Sequence, residues 1–417
     1  MSIDPQFSFA YLFERFPSFV QTFVYREAAE MVRQTARHSA IDHRPPWLVS
    51  VRRPDDPGEL AAQIDAEVFY LPEEKELRAD VDARRAAKTL GWRVHRAIPK
   101  HRGAKDSQRM FEAIWLAPEL KARGIRHVHA HFGGMAARTA WWLRELFGFS
   151  YSFTGHANDI FCDTDFPVSN AMLARGAKFI VTETDYARRW MEERHRFTKG
   201  KVFRVFNGID PSGFFPREAE GEVPRIVSVG RYVEKKGFDV LVEACRLLLV
   251  QGLRFRCEIV GGGPLHEALA AQIAKHELEH CIVLAGPRSQ TEVRRILAGA
   301  QLFVLACQPD SEGGSDNLPT VIAEAMLAGV PCISTMLAGV PEMIAHEQTG
   351  LLVKPRDAKA LAGAMARLLR DPLLASKLGA NGRDFAREHF TIERSVAELR
   401  RLLGRKAGVG RKRWWPW

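Results

Sequence analysis

The sequence predicts an α/β protein built from two doubly wound parallel-sheet domains. Three observations lead there. The chain has 417 residues, room for two or three domains of ordinary size. Short, nearly continuous apolar runs alternate with amphipathic ones in both halves, as expected of parallel strands covered on both faces by crossover helices. A stretch rich in glycine, proline and acid, NGIDPSGFFPREAEGEVP at residues 207–224, separates the halves.

In the first half, FSFAYLF, WLVSVRR, AEVFYL, HVHAHF, YSFTGH and KFIVTET read as strands from their β-branched and aromatic content. Helical periodicity appears in VQTFVYREAAEMVRQ, SQRMFEAIWLAPELKARG and MAARTAWWLRELFG. The second half is more regular. RIVSVGR, FRCEIVGGG, CIVLAG, QLFVLAC, PCISTM and GLLVKP are strand-like, and GFDVLVEACRLLLVQG, PLHEALAAQIAKHE and DAKALAGAMARLLRDP are helical. The expected division is an N-terminal domain over 1–210, a C-terminal domain over 211–387, a helix over 388–403 returning to the first domain, and a basic tail over 404–417. Two such domains place a cleft at the carboxyl ends of their strands, where ligands of this architecture bind.

Composition excludes several classes. Hydrophobic residues make up 46% and charged residues 26%, the balance of a soluble globular protein. The six cysteines show no CxxC spacing, which suits buried thiols in a reducing compartment rather than a disulfide framework or zinc site. Neither a signal-peptide layout nor a membrane-length apolar run is present, so a cytoplasmic location is expected. The formal charge is +10, and GRKAGVGRKRWWPW, residues 404–417, holds five basic residues and no acid. Cations beside tryptophans suit an anionic membrane surface, and a disordered solubilising tail is the equal alternative. RAAKTLGWRVHRAIPKHRGAK, residues 85–105, offers a second basic patch around a tryptophan, or an ordinary solvated helix. No nucleic-acid module occurs, so no nucleic acid is expected as a partner.

The candidate chemistry lies in the loops after strands. GRYVEKKG places Arg231, Lys235 and Lys236 before a helix, a suitable anion site that could equally be a solvated basic loop. IVGGGP allows close backbone approach to a ligand or simply a tight turn. EGGSDNLPTVIAEAMLAGVP, residues 312–331, sets Asp316 in a glycine-rich loop and Glu324 inside a helix. Pro319 suits the first helical turn, Asn317 is a plausible cap, and Gly329 ends the helix. Amides around residues 318–321 would then face a phosphate, and the two carboxylates would accept hydrogen bonds from sugar hydroxyls. The bland reading is a loop acid and a surface glutamate.

Taken together and in order, GRYVEKKG, IVGGGP and DNLPTVIAEAMLAGVP with AGVPEMI and TGLLVKP resemble the donor domain of glycosyltransferase family 4. RFPSFVQTFVYRE is similar to that family's FPxxSETF opening, and HAHF, SFTGHANDIF and VFNGID follow in the expected order. The resemblance covers nearly the whole chain. It implies a GT-B fold, with two Rossmann-like domains facing each other across a cleft, and a retaining sugar transfer from a nucleotide sugar without an essential metal or other cofactor. It also implies roles. Arg231 and Lys236 would hold the donor diphosphate, Glu324 the ribose, and Asp316 would lie near the donor sugar. Gly230, Gly263, Asn317, Leu318, Pro319 and Thr320 would line the nucleotide, and His156 would be the active-site histidine. Two positions depart from the family pattern: Asp316 replaces a glutamate, and Gln21 replaces the glutamate of SETF.

The expected function is therefore transfer from a UDP-sugar, or next a GDP-sugar, to a glycan or polyprenyl-linked acceptor in envelope or exopolysaccharide synthesis. The enzyme would work in the cytoplasm, at the inner face of the membrane if its basic segments bind there. Two other readings stand beside it. One is a catalytically silent GT-B scaffold that binds nucleotide or carbohydrate. The other is a metal-dependent hydrolase using His127, His129 and His131, which alternation places on one side of a strand. One strand rarely supplies three ligands, so no metal is expected.

Overall fold

The computed structural model describes residues 8–17, 22–37, 45–54, 64–162, 165–214, 221–311 and 313–407. Gln21 and residues 408–417, which carry the terminal tryptophans, lie outside the described residues. The chain divides into two compact units. One comprises Met1–Glu183, Arg188–Gly208 and Glu393–Trp417, and the other Thr184–Ala187 and Ile209–Ile392.

The first unit is built on a seven-stranded, all-parallel sheet in the order β3-β2-β1-β4-β5-β6-β7. Its strands are β1 Phe9–Arg15, β2 Trp47–Arg52, β3 Val68–Tyr70, β4 His127–His131, β5 Ser150–Gly155, β6 Ile180–Thr182 and β7 Val202–Arg204. β1 and β4 lie at its centre, so Tyr11, Leu12, Val128 and Ala130 are fully buried, as a strand covered on both faces requires. The helices Gln108–Ala122 and Met135–Phe147 bury Met110, Phe111, Ile114, Ala140 and Leu143. Each large side chain so buried contributes about 1.5–3 kcal/mol. Helix Met135–Phe147 ends where Gly148 takes a left-handed conformation.

The second unit is a six-stranded, all-parallel sheet in the order β10-β9-β8-β11-β12-β13. Its strands are β8 Arg225–Val229, β9 Arg256–Val260, β10 Ile282–Gly286, β11 Leu302–Leu305, β12 Cys332–Thr335 and β13 Leu351–Val353. Helix starts follow local sequence. Ser289 and Glu292 form a reciprocal capping box ahead of Gln290–Ala298, and Asp357 caps Ala358–Arg370 through Ala360 N. Asp371 caps Pro372–His389, with proline at the first helical position, where its missing N–H costs nothing.

All six strands read in the second half are present, as are the six read in the first. β7 was not anticipated, nor was the helix Glu74–Ala86, while Trp92–His101 bears out the helical alternative for the run 85–105. The basic run 85–105 thus spans the end of one helix and the whole of another. The second helix buries Val94, Ala97 and Ile98 while leaving Trp92 65% exposed. Helix Ile392–Leu402 runs on into a π-helical turn, Leu403–Ala407, where the Lys406 ammonium lies 5.0 Å from the Phe203 ring centroid. Regular structure therefore reaches residue 407, past the expected start of the tail at 404. Cys162 is exposed and the other five cysteines are buried. Among the described residues no helix is long and apolar enough to cross a membrane.

Candidate functional site

Because both sheets are wholly parallel, the carboxyl ends of their strands share one edge in each unit, and the candidate residues collect there. In the second unit β8 runs into Gly230 and the exposed Arg231. The Lys236 side chain returns past Gly230, where an added Cβ would stand 3.3 Å from Lys236 Cδ and Cε. Lys236 Nζ lies 2.6 Å from Asp316 Oδ2, and Lys235 Nζ 3.5 Å from Asp316 Oδ1. Burial has the largest effect and lowers the Lys236 pKa, but the Asp316 charge, Cys307 and the Asp316 hydrogen bond together reverse it and the net shift is upward. Lys236 is thus a fixed cation, and Asp316 is its counter-ion as well as that of Lys235.

The glycine run resolves in favour of close backbone approach, though to protein. A Cβ on Gly261, whose φ is +144°, would meet the Gly230 carbonyl oxygen at 1.9 Å. Gly263 packs in the same way on the Tyr232 backbone. The triple glycine lets the loop after β9 press against the loop carrying Arg231.

The helix after β11 runs Thr320–Leu327, one residue later than expected. Pro319 occupies its N-cap with ψ 98° instead of its first turn, and no side chain caps it. Asn317 is not the cap. It is buried, and its Oδ1 accepts a hydrogen bond from Thr184 Oγ1 at 2.6 Å. Leu318 and Pro319 are buried too, and proline has no N–H to offer. Thr320 and Val321 open the helix, so their amides have no acceptor one turn back. Half-buried Glu324 is the fifth helical residue, its side chain leaning toward that N-terminus. Gly329, with φ +75°, closes the helix as expected.

In the first unit His156 follows β5 and is 8% exposed. Its Nδ1 lies 2.8 Å from Glu183 Oε1, and Asn207 Nδ2 donates to the same oxygen. Glu183 follows β6 and Asn207 follows β7, so three neighbouring strand ends deliver the three residues. The His156 amide donates to Asp159 Oδ2 at 3.1 Å. Next along the edge, His131 at the end of β4 places Nε2 2.9 Å from Glu27 Oε1, which also accepts from Tyr11 OH at 2.8 Å. The His131 and His156 rings are near parallel, 6.1 Å apart. His156 Nε2 and His131 Nδ1 are both buried and without a hydrogen-bond partner among the described residues. Burial acts to lower the His156 pKa. Glu183, then Asp159 and Glu27, reverse that and raise it.

His127, His129 and His131 do share one side of β4, but the first two serve a ladder. His127 spans Ser150 Oγ (2.9 Å) and Ser152 Oγ (2.8 Å), and His129 spans Ser152 Oγ (2.7 Å) and Thr154 Oγ1 (3.0 Å). Burial holds both imidazoles far below the usual histidine range, His127 at about 3. Glu27, His129 and His131 bring potential metal-binding atoms within 4.8 Å of one another. Both ring nitrogens of His129 are already engaged, so this trio does not fit a metal without losing a hydrogen bond.

Sequence reading missed Glu27, Glu183 and Asn207. Each had a signal: an acid in TFVYRE, an acid at the carboxyl end of a strand in VTETD, and the asparagine of VFNGID.

Comparison with known proteins places this geometry in context. Residues 213–385, all within the second unit, match the family model described as Glycosyl transferases group 1. The two parallel-sheet units have the fold of solved GT-B glycosyltransferases. A glycosyltransferase from Rickettsia africae superposes with a TM-score of 0.72 over 97% of this chain and 100% of that one, at 16% identity. Among curated proteins, the chain is 40% identical over 163 residues to the amylovoran biosynthesis glycosyltransferase AmsK of Erwinia amylovora, covering 39% of this chain and 40% of the relative. It is 37% identical over 161 residues to a putative colanic acid biosynthesis glycosyltransferase, WcaL, of Escherichia coli K12, covering 38% and 40%. The match spans about 40% of the length of these relatives.

Proposed function

We propose that this chain is a retaining glycosyltransferase of polysaccharide biosynthesis. It moves a sugar from a nucleotide sugar, with UDP as the first expectation for its base and GDP as the second, to a glycan or lipid-linked glycan. The observation that carries the proposal is the second-unit cluster of Arg231, Lys236 and the start of helix Thr320–Leu327. It lies within the stretch that matches the group 1 family. Cleaving a glycosyl phosphate bond leaves negative charge on the departing diphosphate. A cation already held by Asp316, an exposed guanidinium on the same loop and two helix-start amides are suited to that charge before the reaction begins. Glu324 takes the ribose hydroxyls, and His156 acts at the reacting sugar. Asp316 acts through the lysines it holds.

No metal is assigned to the transfer, so activity should survive a chelator. Loss of activity with EDTA and recovery with a divalent ion would favour the hydrolase reading or a metal-dependent transfer. The exposed Trp92 beside Arg93 and Arg96, with the terminal basic residues, supports an anionic membrane surface as a partner on the cytoplasmic side. Sedimentation with anionic and neutral vesicles tests that part separately.

The deciding experiment is a thermal-shift screen of nucleotide sugars, followed by measurement of nucleotide release. A true donor raises the melting temperature in proportion to the logarithm of its concentration over Kd. Lys236→Met should cut release by about 100-fold or more, the scale of losing one fixed transition-state donor. Stabilisation by a donor with neither hydrolysis nor transfer would establish the silent scaffold instead.

A further inference from the structure

The first unit holds a buried histidine whose acidic neighbours favour the charged state against the effect of burial. His156 touches Glu183 through Nδ1, and its ring lies against two aromatic rings, Phe132, with centroids 4.5 Å apart, and Phe23, at 4.9 Å. Aromatic faces favour a neighbouring cation. The titratable groups facing it come from four elements: Glu183 after β6, Asp159 in helix Ala157–Phe161, Glu27 in helix Thr22–Arg37 and His131 of β4. Three of those four are acids, and the fourth, His131, faces one of the acids itself. A buried carboxylate and a buried imidazole stabilise each other only when charged together, because either charge alone would be stranded in a poorly solvating interior. Asn207 adds a second donor to Glu183 Oε1 and orients that carboxylate.

We propose that Glu183 is a positioning residue that keeps His156 doubly protonated at neutral pH, presenting Nε2–H to an anionic phosphoryl oxygen of the substrate. The inference rests on the transferase reading only for the identity of that substrate. Nδ1–H is committed to Glu183, so the buried Nε2 is the one ring position left to act on a ligand. A neutral imidazole in this geometry would present a lone pair there and repel a phosphoryl oxygen. The protonated ring presents a donor. Asn207 fixes the carboxylate, and Glu183 fixes both the orientation and the charge of the ring. The phosphoryl oxygen has two sources, the diphosphate of a nucleotide-sugar donor and the phosphate of a polyprenyl-linked acceptor.

A histidine raised above its unfolded value keeps its charge below the raised value and loses it as pH climbs through that value. Activity that depends on the imidazolium therefore falls on the alkaline side, and removing the Glu183 charge moves that fall to lower pH. The test is an NMR titration of the full chain labelled at its histidines, with His156 assigned from the spectrum of His156→Gln. The expected midpoint lies above that of an ordinary histidine, and Glu183→Gln should weaken proton affinity at least tenfold. UDP or GDP in one arm, and a short-chain prenyl phosphate in the other, should shift the His156 resonance in whichever arm supplies the oxygen. A wild-type midpoint at or below the ordinary value overturns the proposal even if the variant fails to fold. So does a midpoint unmoved in a folded Glu183→Gln protein, or a resonance indifferent to both ligands. A raised midpoint with no turnover of any nucleotide sugar supports the pair and overturns the transferase reading.

Discussion

Replacing Ser152 with alanine removes one oxygen from the molecule and unpairs two histidines. The Ser152 hydroxyl is fully buried and lies 2.8 Å from His127 Nε2 and 2.7 Å from His129 Nδ1. A neutral imidazole has one donor nitrogen and one acceptor nitrogen, and a hydroxyl has one proton. Ser152 must therefore donate to one ring and accept from the other, and alanine can do neither. Each buried polar group left without a partner costs about 1–3 kcal/mol, so Ser152→Ala should cost about 2–6 kcal/mol. That is a large part of the ~5–15 kcal/mol that holds a folded protein together. The assay is urea unfolding of the full chain, with hydrogen exchange at β4 and β5 to assign the first unit's transition. At a slope of about 2 kcal/mol/M, the midpoint for that unit should fall by about 1–3 M. Ser150→Ala is the control. Its hydroxyl meets His127 and the Arg126 carbonyl oxygen at a partly exposed position, so water can take its place and the cost should stay under about 1 kcal/mol. Equal, small losses in both variants would refute the claim that the ladder is a closed network.

The same ladder predicts acid sensitivity. Both histidines are held neutral in the fold and would take protons at about pH 6.5 when unfolded, so stability is lost as pH falls below that value. His127, its pKa lowered to about 3 by burial, stays neutral in the fold throughout that range. The loss should be about 1.4 kcal/mol per histidine per pH unit, read from urea midpoints between pH 7 and 5. Glu324→Gln should weaken binding of free nucleotide by about 10–100-fold, the worth of a charge-assisted hydrogen bond, and calorimetry on the folded variant measures it. Gly261→Ala drives a Cβ to 1.9 Å from the Gly230 carbonyl oxygen in a backbone conformation side chains avoid, so a loss above about 4 kcal/mol is expected. Gly363→Ala meets nothing within 4 Å on an exposed helical position and should stabilise by about 1 kcal/mol, and melting curves of the two variants compare them directly.

Strands buried on both faces announce themselves. β8 to β13 are runs of β-branched residues with glycine or proline at their ends, and every one was legible. β7 was not, because Val202–Arg204 is three residues long and carries no periodicity of its own. Helices Glu74–Ala86 and Trp92–His101 bury only two and three residues respectively, so charge hides their apolar stripe, and Pro99 falls inside the second. In the site, single positions such as Arg231, Lys236 and His156 were nameable from motifs, but their partners were not. Glu183 lies 27 residues from His156 and meets it only because β5 and β6 are neighbours. Asp316 meets Lys236 across 80 residues of chain, so its role as counter-ion could not be read locally. The histidine ladder is the intermediate case. H-V-H-A-H and S-Y-S-F-T alternate in step, with His127 opposite Ser150, His129 opposite Ser152 and His131 opposite Thr154. Only strand order was needed to see that the histidines had hydroxyl partners waiting.

The division of the chain also governs how the molecule can be born. Residues from Glu393 onward belong to the first unit, where Gln34 Nε2 donates to the Glu393 carbonyl at 2.9 Å. The second unit is thus an insertion within the first. Domains generally fold in the order in which the ribosome releases them. Here the unit that begins emerging first cannot be completed until the last helix has left the exit tunnel, while the inserted unit can close beforehand. A nascent chain held with residue 392 just outside the tunnel should show a protease-resistant second unit beside a first unit still missing its closing piece.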